Sequence, residues 1–108
     1  MSKKKIGTEE IQDNGGSLVV KAPREWLSHY GMEVGTPVFV VLTLDGVLRY
    51  HLQKQPWSRK GRVRLINGNG WLTVGKDAAK KLGIKKGTVV KVSVDPDNGV
   101  LFVERVKA

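Results

Sequence analysis

The chain has 108 residues and a mass of 11.9 kDa, room for one domain and hardly two. Nineteen Lys and Arg against ten Asp and Glu leave a formal charge of +9, yet 40% of the residues are hydrophobic, so a wholly disordered chain is excluded. The absence of cysteine and the presence of only two histidines exclude disulfides, thiolate catalysis and a Cys- or His-rich metal cluster, and no apolar run approaches the ~20 residues of a membrane-spanning helix.

In chain order, the Met-Ser-Lys-Lys-Lys-Ile start is basic but lacks the apolar stretch of a signal peptide, so the expected compartment is the cytoplasm. A first strand is expected over Lys5–Asp13. Asn14-Gly15-Gly16 follows as a turn, because Asn and Gly tolerate positive φ. A second strand is expected over Leu18–Ala22, then a short helix with Pro23 at its first position and Gly31 at its stop. Trp26 and Tyr30 are four apart on that helix and can both face the core. The third strand, Pro37–Leu44, alternates Val38, Val40, Leu42 and Leu44 with Phe39, Val41 and Thr43. Asp45-Gly46 reads as a hairpin turn into a fourth strand, Val47–Leu52.

Residues 54–61 have no pattern and read as a basic connector. After them the same order returns. A strand over Arg62–Ile66 meets the turn Asn67-Gly68-Asn69-Gly70, and a strand over Trp71–Val74 leads to a helix starting near Asp77 and ending at Gly83. The third strand is Val89–Val94, the turn is Asp97-Asn98-Gly99 and the fourth strand is Val100–Val106. Gly31, Gly35, Thr36, Val38 and Val40 recur 52 positions later as Gly83, Gly87, Thr88, Val90 and Val92. Each copy is therefore β-β-α-β-β: residues 1–53, then 62–108. One such unit is too small to bury its sheet faces well, so the two copies are expected to close on each other as one domain.

The charge is not shared between the copies. Residues 1–53 carry six basic and six acidic side chains, whereas residues 54–108 carry thirteen basic and four acidic ones, the whole excess. A neutral half fused to a strongly basic half points to a polyanion-binding face. Arg62, Arg64 and Ile66 are expected on one strand face and Val63 and Leu65 on the other, so the two arginines can contact phosphates or a guanine edge together. Arg59 and Lys60 either extend that patch or belong to a flexible basic linker. Trp57 and Trp71 flank it. They can stack on a base or sugar, or cover the open end of a barrel, which is the preferred reading. His29 and His51 lie in different elements without ligands at metal spacing, and no serine sits in a nucleophile elbow, so neither a metal nor a catalytic centre is expected.

The run from Val63 to Val92 has a glycine-bearing turn, a short strand, a helix ending Leu82-Gly83-Ile84 and the strand Gly87-Thr88-Val89-Val90-Lys91-Val92. In that order it resembles the AbrB/MazE/SpoVT family, the swapped-hairpin β-barrel group of transition-state regulators and antitoxins. Gly75 stands where that family usually has proline and Thr88 where it has an acidic residue, while the first copy keeps Pro23 but reads Tyr30-Gly31-Met32 at the helix end. The resemblance implies a mainly β fold with two short helices, in which two ββαββ repeats form a swapped-hairpin barrel, either within one chain as a monomeric pseudo-dimer or as a homodimer. It implies duplex DNA as the partner, no cofactor, no membrane and a nucleoid-associated place in the cytoplasm. The matching positions are Arg62 and Arg64 on the strand, Lys76 where the helix begins, and Lys80 and Lys81 on the helix. The first copy offers Glu9 and Glu10 on its strand and only Lys21 and Arg24 near its helix, so the basic face is expected mainly from the second repeat. The alternative is a protein-interaction module, antitoxin-like or a phage-type inhibitor, whose basic face meets an acidic protein partner.

Overall fold

A computed structural model describes residues 4–66 and 69–106. Ten strands and two helices follow one another among the described residues. They are β1 (Lys4–Glu10), β2 (Gln12–Asn14), β3 (Ser17–Lys21), α1 (Arg24–His29), β4 (Pro37–Leu42), β5 (Val47–His51), β6 (Arg59–Arg62), β7 (Arg64–Ile66), β8 (Asn69–Val74), α2 (Lys76–Leu82), β9 (Val89–Asp95) and β10 (Val100–Arg105). The fold is mainly β. Six strands form one sheet in the order β1-β9-β10-β5-β4-β6, and four form a second in the order β2-β3-β8-β7. Every pairing is antiparallel, and the two sheets do not join into a closed cylinder among the described residues. No described helix is long and apolar enough to cross a membrane.

The expected first strand of each copy is broken in two, and the break is where the sheets connect. Ile11 separates β1 from β2, and Val63 separates β6 from β7. Both side chains are buried, at 0% and 2% exposure. Their backbones make the same bonds 52 residues apart. The Ile11 N–H donates to the Thr88 carbonyl and its carbonyl accepts from Gly87 N–H, both at 2.8 Å; the Val63 N–H donates to the Thr36 carbonyl (3.0 Å) and its carbonyl accepts from Gly35 N–H (2.8 Å). At each break the chain leaves the larger sheet for the smaller one while burying one apolar side chain. Satisfying both backbone groups there avoids the cost of burying them unpaired.

The copies exchange these strands. β1 of the first copy pairs with β9 of the second, and β6, formed by the end of the connector and the start of the second copy, pairs with β4 of the first. β3 pairs with β8, and β5 with β10, across the middle of each sheet. One core runs through both copies, joining Ile11, Val20, Trp26, Val38, Leu48 and Tyr50 to Val63, Leu72, Val90, Val92, Leu101 and Val103. The run Val100–Val103 is buried on both faces: Leu101 and Val103 enter that core, while Val100 and Phe102 join Val47 in a smaller cluster.

The two Gly-Thr pairs have a local reason. Thr36 and Thr88 accept the backbone N–H of Glu33 and Lys85 on their hydroxyls, at 2.8 and 3.0 Å, closing the turn before each third strand. Each helix is followed by a left-handed glycine, Gly31 (φ 61°) and Gly83 (φ 70°). The next N–H then reaches back, Met32 to Leu27 and Ile84 to Ala79, each at 2.8 Å, satisfying a terminal carbonyl.

Several expectations are corrected. Pro23 caps α1, which starts at Arg24, and Gly75 holds the equivalent place before α2. β4 stops at Leu42, and Leu44 is fully exposed beside the turn, because the Thr43 hydroxyl takes part in the hairpin by bonding Asp45 and Val47. Arg59 and Lys60 are not a loose connector: they open β6, paired with Val40 and Phe39.

Candidate nucleic-acid interface

In the smaller sheet, β3 and β8 run antiparallel with Leu18 opposite Val74 and Val20 opposite Leu72. Those residues face the core, so strand alternation turns Val19, Lys21, Trp71 and Thr73 to the other side. Lys21 is opposite Trp71, and Trp71 is opposite Arg64 on β7. The register thus lines up a cation, an indole and a second cation across three strands. Lys21 is exposed and Trp71 half-buried. The Arg64 backbone is described, but its side chain, like that of Arg62, lies outside the described residues. Lys21 and Arg24 also line one shallow cleft of about 330 Å³, with Glu9 and Asn69 on its walls.

A second cationic group lies on the larger sheet. β4, β6 and α2 enclose a cleft of about 520 Å³ that brings together Trp57, Arg59, Lys60 and Lys81 over Val40, Leu42, Leu48 and Ala78. The Arg59 guanidinium donates to the Asp77 carboxylate at 3.0 Å, with both side chains mostly exposed. Such a surface pair contributes little stability but orients the arginine. Lys76 and Lys80 are exposed on α2, four residues apart and on one side of it.

Arg62 and Arg64 therefore do not share a strand face. Arg62 ends β6 opposite Pro37 in the larger sheet, and Arg64 starts β7 in the smaller one. The reason is the crossing at Val63, which the alternating pattern cannot reveal. Trp57 is 95% exposed at the mouth of the larger cleft, so it does not cover a barrel end. Lys21 is the residue that a charge count undervalues, because it belongs to the neutral copy and joins Trp71 only through pairing between copies.

Among the described residues, His51, Asp95 and Tyr50 depart from their ordinary behaviour. Burial, and next the Arg49 charge, lower the His51 pKa below the ordinary imidazole value. The Asn98 side-chain amide holds the Asp95 carboxyl below its usual range. Burial pushes the Tyr50 hydroxyl well above its usual range, and that hydroxyl donates to the Thr73 carbonyl at 3.1 Å. Among the described residues, no three His, Cys, Asp or Glu side chains gather as metal ligands.

Compared with models of known families, with curated proteins and with solved structures, the chain has no match.

Proposed function

We propose that this chain is a duplex-DNA-binding regulator of the AbrB-like, swapped-hairpin type, acting by occupancy, without cofactor or catalysis. The observation that carries the reading is the register Lys21–Trp71–Arg64 across the smaller sheet. Laid against a duplex, this three-strand row sets Arg64 where an arginine can read a guanine edge, while Lys21 and the helix-start cations hold phosphates. Arg24 and Lys76 open the two helices that follow β3 and β8, so they can add phosphate contacts from either side. The exchange of first strands between copies supports the swapped-hairpin reading, and because it occurs within one chain it favours a monomeric pseudo-dimer over a homodimer. Unequal charge in the two copies favours a non-palindromic site.

Fluorescence anisotropy with labelled duplexes at increasing salt tests the proposal. Binding is expected to weaken steeply, with a log–log slope of about −0.9 per neutralised phosphate. No binding at low salt would refute it and leave the protein-interaction reading.

A further inference from the structure

We propose that the cleft between β4, β6 and α2 docks an acidic segment of a partner protein through one aromatic side chain. The two copies differ there in an informative way. In the first copy the corresponding cleft, about 410 Å³, is lined by Trp26, Tyr30, Glu25 and His29 of α1 and its end. Trp26 fills its inner part: it is 2% exposed, and its indole N–H donates to the Gly99 carbonyl at 2.8 Å. Tyr30 closes over the same hairpin and donates its hydroxyl to the Pro96 carbonyl.

Fifty-two positions on, Trp26 is replaced by Ala78 and Tyr30 by Leu82. Leu82 keeps Tyr30's place against the turn: a Cβ at Gly46 would meet its Cδ2 at 3.4 Å, as one at Gly99 would meet the Tyr30 ring at 3.0 Å. Ala78 does not replace the indole. What remains is the larger cleft of about 520 Å³, with Val40, Leu42 and Leu48 on its floor. The first copy thus places a buried indole at the position where the second copy leaves the cleft open.

The rim states the charge of the occupant. Lys60 and Lys81 are exposed at the mouth, and Arg59 adds a third cation partly offset by Asp77. The mouth also carries Trp57, whose φ of 64° is a costly conformation for a residue with a bulky side chain. The turn beneath it is pinned, since the Ser58 hydroxyl donates to the Gln55 carbonyl at 2.6 Å and Gln55 N–H donates back to that hydroxyl. An apolar floor, a cationic rim and an exposed indole carried on a pinned turn match an aromatic residue flanked by carboxylates.

The test is a titration of the full chain, followed by amide NMR, with a blocked Asp-Glu-Trp-Glu-Asp peptide. Shifts are expected at Leu42, Gly61 and Ala78, with affinity reduced about tenfold or more when the peptide's Trp becomes Ala or its acids become Lys. Ala78→Trp should fill the cleft and reduce binding by about the same factor while duplex binding is retained. Should that variant fail to fold, the exposed pair Lys60→Glu and Lys81→Glu decides the matter by the same loss of peptide binding. Undiminished peptide binding by either folded variant overturns the proposal. So does a single-stranded hexathymidylate that moves the same amides at lower concentration, which would make the cleft a nucleic-acid site.

Discussion

Replacing Trp26 tests whether the two copies form one cooperative unit. The residue belongs to the first copy, yet its indole N–H bonds the Gly99 carbonyl of the second, and it is buried in the shared core. Trp26→Phe keeps an aromatic ring and removes the donor, leaving a buried carbonyl without this partner; that costs about 1–3 kcal/mol. Trp26→Ala adds a cavity and should cost about 3–5 kcal/mol, a large part of the ~5–15 kcal/mol that holds a domain together. At about 4–8 °C per kcal/mol for a chain near this size, even the Phe variant should lower Tm measurably. Urea unfolding followed by tryptophan fluorescence and by circular dichroism should give one shared transition, shifted to lower urea with its slope unchanged. A Trp26→Ala variant destabilised by under ~1 kcal/mol, or one whose two probes separate into two transitions, would refute the reasoning.

Four further outcomes are expected. Residues 1–53 made alone should fail to fold as a monomer, because four of the eight described strand pairings are made between copies; a cooperative monomer by light scattering and denaturation would contradict this. Arg64→Ala and Lys21→Ala should each flatten the salt dependence of duplex binding by about one unit if they meet phosphates, or cost about 1–3 kcal/mol at one base pair if they read an edge; anisotropy unchanged in both variants would remove the smaller sheet from the interface. Because the folded-state pKa of His51 is lowered from 6.5, its contribution is fully present above that value and is lost as pH falls through the folded-state pKa, so urea midpoints should drop on acidification less in His51→Gln than in the parent. Gly99→Ala should destabilise more than Gly31→Ala: both need a left-handed backbone, costing about 1–2 kcal/mol, but only the first puts a Cβ 2.7 Å from Leu52 and 3.0 Å from Tyr30, a difference thermal denaturation should resolve.

The order of elements is legible from the residues alone. Asn-Gly and Asp-Gly turns, the glycines ending both helices and the alternation in β4 and β9 are local signals, set by backbone sterics and by which side of a strand is apolar. The repeat at 52 residues is likewise written in the chain. Which strand covers which is decided only by the tertiary structure. Alternation marks Ile11 and Val63 as apolar but cannot say that the chain changes sheets there, since burial by the next strand and burial at a crossing demand the same side chain. For that reason Arg62 and Arg64 look like neighbours on one face in the sequence, and Lys21 looks remote from both Trp71 and Arg64. Lys21 meets Trp71 across fifty residues and Arg62 meets Pro37 across twenty-five, and such long-range contacts leave no period in the sequence that makes them.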